Sequence, residues 1–435
     1  MRVMTIAALL VGAAPLAAQA ASDTSVHPIH LGDAITMAQA AEPAAVAARG
    51  NVLTSQTNLT SAYMAFVPSV SLNMSTALNS PATARVNPTT GQLVSGAWSL
   101  TQGFSIGVDI FDGGRRIYSV AAARKLLGAA DAAGVAQKYQ TAYDVKVQYY
   151  AVLASIEQRV AAQAAIDQAT QQMKASVANV RAKMVTKSDS LQSLVALGNA
   201  RLQLLAADLA LQTANAALTR LVAAPYTVTA IIDDTVETPK PPIDSASVLR
   251  MALVGPTVQS AQMNFEAADA SAKAARWQWF PQLTASYQRN RLAVDSLFSL
   301  APGGGSYSGS LRFNLSYPLF NQWQRESNIV LADVAKKNAD AAARDARYAA
   351  QESLVQYFGA LRTAQEQSDI QSVSVAAAQE NLAVQQERYK LGLSTILDVL
   401  TAQSSVNAAR VLLIQARYNY RVAKAQLEAL VGSDL

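Results

Sequence analysis

Two very long helical patterns constrain this chain more than any other feature of its sequence. The stretches from about Arg115 to Met184 and from about Gln324 to Leu391 contain no proline and keep apolar residues at helical spacing. At 1.5 Å per residue, each helix would be on the order of 100 Å long. Alanine dominates both stretches, with larger apolar residues on the seams and polar residues between them, a pattern typical of close antiparallel helix packing.

A glycine at the end of the second pattern marks a turn. Gly392 has apolar residues at helical spacing on both sides, although glycine costs roughly 1 kcal/mol in a helix interior and is favoured just past a helix end. A related stretch occurs earlier, where Arg181 and Lys183 are matched with Arg388 and Lys390. Each long helix is therefore expected to turn and return as a hairpin.

The chain contains two copies of one order of elements: helix, strand, loop, strand, very long helix, turn and helix. We place the first copy at residues 21–222 and the second at 245–432, joined by a proline-rich linker at 223–244. Pro68 and Pro281 end the opening helix of each copy and allow a strand to begin. The predicted strands are about 68–78, 99–111, 281–292 and 307–320, and the predicted helical hairpins are about 115–222 and 324–431.

The second strand of each pair alternates apolar and polar residues, which gives it one apolar and one polar face. Because the rest of the chain is predicted to be helical, four isolated strands cannot form a sandwich. The pattern suits strands of about ten residues with lipid outside and water inside. The intervening loops at 79–97 and 293–306 are predicted to be exposed turns. The apolar positions are Phe104, Ile106, Val108 and Ile110, then Leu311, Phe313, Leu315, Tyr317 and Leu319.

Composition excludes several kinds of site. None of the 435 residues is a cysteine, which removes disulfides, thiolate metal sites, cysteine nucleophiles and the cysteine of a lipoprotein anchor. His27 and His30 are interpreted as residues of a flexible segment rather than as metal ligands, and no cofactor or metal is predicted. A formal net charge of +5 is too small for this length to indicate nucleic acid.

The first residues are predicted to direct export. Residues 1–20 combine one arginine, an apolar run and small residues at Ala18 and Ala20, as in a secretory signal peptide. After this segment no uninterrupted apolar run reaches the 18 or so residues of a membrane helix. If the exported protein enters a membrane, it must do so as a closed barrel.

Three motifs now point to a family. They are "FDGGRR" at 111–116, "RYKLGLSTILDVLTAQ" at 388–403 and "ARYNYRVAKAQLEALVG" at 416–432. With the duplicated plan, the chain resembles the TolC family of outer-membrane efflux proteins over nearly all of the exported sequence. One departure is "LFNQWQR", which stands in the second copy where the first has its FDGG motif.

The resemblance implies a mainly α fold with a membrane β-barrel. Three protomers would each give four strands to a 12-stranded barrel, continued by a long antiparallel α-helical tube through the periplasm. Such sharing removes the sheet edges that lipid cannot satisfy. Without cysteine, the chain is grouped with family members that lack a lipid anchor.

The resemblance also implies roles for residues at the hairpin ends. By motif position Tyr389 corresponds to a gate tyrosine, Asp189 with Ser188 to its partner segment, and Asp398 to a ring of carboxylates at the constriction. Ser394 and Thr401 stand where a known pattern has an arginine link and a second aspartate, which implies a weaker gate. Alternatively, Asp189 caps a helix, Tyr389 packs in a seam and Asp398 lies on a solvated face.

The hairpin ends are also expected to dock a partner protein. The residues assigned to these docking tips are Val185, Thr186, Lys187, Leu391, Gly392 and Leu393, and the apolar ones are expected to be exposed. The resemblance implies contact with a periplasmic adaptor, or membrane fusion, protein.

The expected function is a passive exit duct in the cell outer membrane, part of a tripartite efflux pump or a type I secretion system. A homotrimer would work with the adaptor protein and an inner-membrane transporter, in contact with outer-membrane lipid and not with nucleic acid. The alternative is a soluble periplasmic coiled-coil adaptor or scaffold. An enzyme is the third class, and no nucleophile-and-base set, phosphate loop or metal spacing supports it. The exported cargo is not indicated.

Overall fold

A computed structural model describes residues 26–86, 91–231, 245–295, 298, 300 and 306–435. The signal peptide at 1–20 and the linker beyond residue 231 lie outside these residues. The described chain consists of a helical bundle joined at one end to a four-stranded antiparallel sheet.

Four strands form this sheet, in the order β2–β3–β5–β6. Their bounds are β2 Ser69–Val86, β3 Leu93–Phe111, β5 Gln282–Asp295 and β6 Ser306–Ser316. Pairing runs across the sheet from Val70 to Ile106, then to Tyr287 and Leu311, so these side chains share one face. Leu72, Phe104, Phe313 and Leu315 lie on the same face. The opposite face carries Ser71, Ser105, Ser286 and Arg312. Both copies therefore contribute to one sheet with an apolar and a polar face.

The predicted strand bounds at 68–78, 99–111, 281–292 and 307–320 need correction. Most of the predicted turn 79–97 is strand, because β2 continues to Val86 after a register shift between Leu78 and Thr83. The second predicted loop, at 293–306, also begins later than expected, because β5 continues to Asp295. At the other end, β6 stops at Ser316 because Pro318 lacks an N–H for the ladder.

The long helices form two hairpins of equal size. Helices α3 Arg115–Arg181 and α7 Gln324–Lys390 have 67 residues each, which corresponds to about 100 Å. The returning helices α4 Lys187–Val222 and α8 Ile396–Val431 have 36 residues each. Contacts are extensive within each hairpin, and α3 also packs against α8.

Each copy opens with two helices where the sequence predicted one. In the first copy they are α1 Leu31–Ala41 and α2 Pro43–Met64, and in the second α5 Ser245–Leu253 and α6 Pro256–Arg276. A proline is the first residue of α2 and of α6, where its missing N–H costs nothing and the preceding residue is pushed out of the helical region.

The FDGGRR motif forms the turn between β3 and α3. The Asp112 carboxylate accepts hydrogen bonds from the backbone N–H groups of Gly114 at 3.1 Å and Arg116 at 2.9 Å. Gly113 and Gly114 have φ of 75° and 93°, a region that favours glycine. The second copy makes the same turn without glycine, since Gln322 and Trp323 have φ of 57° and 65°.

A small parallel sheet that the sequence did not reveal lies midway along the bundle. It pairs β1 His27–Ile29 with β4 Val228–Ala230. The Tyr149 hydroxyl of α3 donates to the carbonyl of Ile29 at 3.1 Å, within a buried apolar cluster. His27 belongs to this strand and its ring lies 4.6 Å from that of Tyr226. The interpretation of His27 as part of a flexible segment is therefore wrong.

Candidate gate and docking site at the hairpin tips

The turn of the second hairpin explains why Gly392 interrupts the helical pattern. Gly392 has φ of 69°, and its N–H donates to the Tyr389 carbonyl at 3.0 Å. The N–H of Leu393 donates to the Arg388 carbonyl at 2.8 Å. These two bonds define a Schellman motif, in which glycine is the usual residue at the left-handed position.

The first hairpin uses the same motif with a lysine in that position. Lys183 has φ of 57° and its N–H donates to the Val180 carbonyl at 3.0 Å, while Met184 donates to Asn179 at 2.9 Å. Lys183 is thus the structural equivalent of Gly392. The predicted alignment, which matched Lys183 with Lys390, is wrong by two positions, and the turn begins slightly before Val185, the first residue assigned to this docking tip.

Asp398 lies at the start of α8 and caps that helix. Its carboxylate accepts hydrogen bonds from the backbone N–H and the hydroxyl of Thr395, both at 2.8 Å. The Thr395 hydroxyl in turn accepts from the Asp398 N–H at 3.3 Å, which completes a capping box. The Thr395 backbone N–H and then its hydroxyl hold the pKa of Asp398 below its ordinary value. The exposed carboxylate is therefore charged at neutral pH.

Asp189 takes the same place at the start of α4 but divides its two oxygens. Oδ1 accepts a hydrogen bond from the Thr186 hydroxyl at 2.9 Å. Oδ2 accepts from the Tyr389 hydroxyl at 3.4 Å. Asp189 thus stabilises its own turn and also receives a contact from the other hairpin.

Tyr389 is the residue that joins the two hairpins near their tips. Its ring packs against a cluster that includes Leu382 and Val399, and its hydroxyl reaches Asp189 on α4. Partial burial, followed by the negative charge of Asp189, raises the pKa of Tyr389 above its ordinary value. The hydroxyl therefore stays protonated and acts as the donor.

The other three predicted gate residues do not join this contact. The Ser394 hydroxyl donates to the Gln385 carbonyl of its own hairpin at 3.3 Å. Ser188 and Thr401 are exposed, and Ser188 lines a groove between α4 and α8.

The docking tips present apolar side chains to solvent. Leu391 and Leu393 are 72% and 66% exposed. Val185 is half-buried, against the expectation of an exposed side chain, whereas Met184 is 72% exposed and takes the place equivalent to Leu393. Met184 was not among the predicted tip residues because of the two-position alignment error. Thr186 and Lys187 are exposed in the first turn of α4.

Further polar contacts between the hairpins were not predicted. The Gln403 amide on α8 donates to Gln168 on α3. Higher up, the Tyr418 hydroxyl donates to the Glu157 carboxylate at 2.8 Å. Burial is the main cause that raises the pKa of Tyr418, so this hydroxyl also remains a donor. Together with the Tyr389 contact, these bonds fix α7 and α8 against the first hairpin at three heights.

An apolar groove runs between α3, α4 and α8 above the tips. Its volume is about 1180 Å³, and the adjoining part of α4 exposes Leu202, Leu205 and Leu209. Among the helices that the structure describes, α4 alone is long and apolar enough to span a membrane by composition. Here, however, α4 packs as the second arm of a hairpin.

This architecture is that of outer membrane channels with a helical tube. The chain is similar to the outer membrane protein VceC of Vibrio cholerae, with a TM-score of 0.75 and 19% identity over 93% of this chain and 96% of that one. It is also similar to the open state of the MtrE outer membrane channel of Neisseria gonorrhoeae, with a TM-score of 0.73 and 20% identity over 93% and 89% of the chains. The predicted fold class is thereby confirmed.

The sequence gives the family as well. The model of the outer membrane efflux protein family matches residues 34–224 and 251–433, and the chain therefore belongs to that family. The resemblance noted from the three motifs is confirmed, as is the predicted localisation in the outer membrane.

Curated relatives match only part of the chain. The toluene efflux pump outer membrane protein TtgC of Pseudomonas putida is 25% identical over 177 residues, 41% of this chain and 36% of that protein. The solvent efflux pump outer membrane protein SrpC of Pseudomonas putida is 28% identical over 179 residues, 41% of this chain and 37% of that protein. The matched region thus spans little more than a third of these relatives.

Proposed function

We propose that this protein is the outer-membrane exit duct of a tripartite efflux pump or type I secretion system, working passively as a homotrimer. The observation that carries the proposal is a four-stranded sheet with an exposed apolar face and two open edges, joined to hairpins about 100 Å long. The parts proposed for the chain are a signal peptide at 1–20, a first copy at 21–222, a linker and a second copy at 245–432.

The sheet supports assembly in a membrane. Leu72 is 85% exposed and Phe313 66% exposed on its apolar face, an arrangement that water disfavours and lipid favours. Within the described chain, the edge strands β2 and β6 have one neighbour each. Three copies, joined edge to edge, would close a 12-stranded barrel and satisfy both edges.

The helices support the same assembly. A groove of about 1180 Å³ beside the exposed leucines of α4 offers an apolar surface to another helical hairpin. A neighbouring protomer is the natural occupant, because threefold symmetry would place its hairpins side by side with these and close a tube below the barrel.

The tip contacts support a gate at the periplasmic end. The Tyr389 to Asp189 bond ties the second hairpin to the first, and removing it would free the hairpin to move outward. Threefold symmetry would bring three Asp398 carboxylates towards the axis, where they would attract cations. Ser394 and Thr401 provide neither a cationic link nor a second acidic ring, so opening should require little energy.

The exposed tip residues support docking of a partner. Leu391 and Leu393, with Met184 on the other hairpin, are apolar side chains at the ends of helical hairpins. Such ends suit the hairpin of a periplasmic adaptor protein by helix-in-groove packing. An inner-membrane transporter would complete the pathway. The curated relatives are named as parts of efflux pumps, which favours efflux over protein secretion.

Membrane fractionation and an export assay together test the proposal. The protein should be recovered from the outer membrane as a detergent-extracted trimer, and its deletion should sensitise cells to exported compounds. Changing Leu393 to Asp should reduce export and leave the trimer intact, whereas Leu331→Asp, at a similarly exposed leucine on α7 far from the tip and outside the groove, serves as the matched control for docking. Recovery as a soluble periplasmic monomer would favour the alternative, an adaptor or scaffold.

A further inference from the structure

Two arginines lie on the apolar face of the sheet, where charged residues are costly. Pairing places Arg289 opposite Phe104, and Arg291 opposite Gln102 and Tyr307. Because directly opposed residues share a face, both arginines project on the side that carries Ile106, Tyr287 and Leu311. In the proposed barrel this is the side that meets lipid.

The two guanidinium groups converge on one aromatic ring. Their central carbons lie 5.3 Å and 5.9 Å from the centroid of the Tyr307 ring, for Arg289 and Arg291 respectively. Tyr287, two residues before Arg289 on β5, is in contact with Phe104, and the centroids of the two rings are 5.9 Å apart. Arg289 is exposed and forms no ion pair within the part of the chain that the structure describes.

Their height along the strands corresponds to a membrane boundary. From Leu283, near the helical end, to Arg291 the chain rises about 26 Å along β5, or about 20 Å along the barrel axis at the usual tilt. The apolar band of an outer-membrane barrel is about 25 Å tall and is bordered by aromatic residues. The arginines and Tyr307 therefore lie near the outer edge of that band, towards the loops.

Two described residues between β5 and β6, Phe298 and Leu300, contact the sheet just beyond this pair. The Gln102 amide donates to the Leu300 carbonyl at 3.2 Å, and the Phe298 ring lies 5.2 Å from that of Trp98. Leu100, on the same face of β3 as Trp98 and Gln102, is only 3% exposed. The arginines thus have apolar strand surface on one side, and on the other side the Gln102 bond to Leu300 and the contact of Phe298 with Trp98.

We propose that Arg289 and Arg291, with Tyr307, bind the phosphate group of an anionic lipid in the outer leaflet of the outer membrane. Guanidinium groups pair with phosphate through two parallel hydrogen bonds, and tyrosine rings favour the headgroup level. Charge complementarity selects this occupant, because a lipid phosphate lies at the boundary where the arginines lie. The inference rests on the proposed function, which places this face in lipid.

Lipid binding to the purified trimer tests the inference. The trimer is placed in phosphatidylcholine vesicles with or without diphosphoryl lipid A, and bound lipid is counted by native mass spectrometry after extraction. Wild type should retain lipid A in preference to its dephosphorylated form. Arg289→Gln should weaken retention about 5-fold and the double change with Arg291→Gln about 25-fold.

Arg312→Gln is the matched control, because Arg312 lies on the opposite, polar face of β6 and its loss should leave retention unchanged. Conductance in planar bilayers shows that each variant still forms the duct. Equal retention by wild type and a conducting double mutant would overturn the lipid site alone. The lipid site would also be overturned if inorganic phosphate protected the trimer as strongly as lipid A does. Failure of the wild type to form a conducting trimer would overturn the proposed function as well.

Discussion

At the residue scale, the hairpin tips combine helix capping with contacts between hairpins. Thr186 and Thr395 precede Asp189 and Asp398 by three positions, and both aspartates accept hydrogen bonds from the preceding threonine. Only Asp189 also receives a tyrosine from the other hairpin. Capping of α4, the alternative role considered for Asp189, is therefore compatible with the proposed gate contact, because the two roles use different oxygens of one side chain.

Removing the Tyr389 hydroxyl should ease opening. Tyr389→Phe keeps the ring in its apolar cluster and loses the bond to Asp189, which is worth about 1 kcal/mol, so the open state should gain about 5-fold in population. We expect higher single-channel conductance or a larger open fraction in planar bilayers. Tyr348→Phe, an exposed tyrosine on the same helix, is the control. Gating identical to wild type in both variants would show that the bond does not hold the gate.

Asp398 should confer block by cations at neutral pH. Its pKa is lowered in the folded chain, so the capping contribution is fully present above its ordinary pKa and is lost as pH falls through the lowered value. Divalent cation block from the periplasmic side should therefore persist from pH 8 to about pH 4 and be lost only below that, as pH falls through the lowered pKa of Asp398. Asp398→Asn should weaken block at all these pH values.

Glu387→Gln is the control for charge alone, because Glu387 is an exposed tip carboxylate paired with Lys390. Block that survives Asp398→Asn unchanged would place the constriction elsewhere.

Sequence motifs indicated Tyr389, Asp189 and Asp398 because each lies at a fixed distance from a turn, and turns leave clear signals. Met184 was missed because a lysine, not a glycine, occupies the left-handed position before it. Arg289 and Arg291 gave no signal at all, since their meaning depends on which strands pair and in which register.

At the element scale, the two tips have one geometry and different residues at their strained position. An L-residue in the left-handed region costs roughly 1 kcal/mol relative to glycine. Gly392→Ala should therefore destabilise the second tip by about that amount, and Lys183→Gly should stabilise the first. Hydrogen exchange of the amides in the two turns measures both effects. Gly198→Ala, within α4 with open space around it, is the control for the substitution itself and should stabilise α4, because glycine is unfavourable in a helix interior. Stabilisation by Gly392→Ala together with destabilisation by Lys183→Gly would contradict the assignment of both turns.

The two faces of the sheet should respond differently to charge. Leu311→Arg, midway up the apolar face, should destabilise the protein by about 2 to 4 kcal/mol, and Leu315→Arg less because it lies near the strand end. Ser310→Arg places the same group on the polar face and should cost little. Urea unfolding from vesicles gives the free energies. Similar losses for Leu311→Arg and Ser310→Arg would contradict the face assignment.

Long-range periodicity made the helices predictable from the sequence, whereas short elements and elements that depend on tertiary context were not predicted. The 67-residue helices carry about nineteen turns of consistent pattern. In contrast, β1 and β4 have three residues each and exist only because they pair with each other between helices. The extended part of β2 beyond Leu78 is likewise held by pairing with β3 rather than by its own composition.

At the scale of the whole molecule, the duplicated plan and the open sheet both favour assembly of the chain with copies of itself. The described chain supplies four strands, two exposed edges and helical faces lined with leucine, and in the proposed trimer each feature would be satisfied by copies of the chain around a threefold axis. The family, the fold and the outer-membrane localisation agree with this arrangement.

Disulfide trapping between the two sheet edges tests the arrangement most directly. Because the sequence contains no cysteine, any disulfide must join the introduced residues. Leu72→Cys on β2 would be combined in turn with cysteine at Leu311, Phe313 or Leu315 on β6, and cells would be oxidised before the outer membrane is isolated. At least one pair should give a covalent trimer in that membrane, and each single cysteine variant should give none. Monomers alone from every pair, with the protein recovered in the soluble periplasm, would contradict a trimeric barrel in the outer membrane.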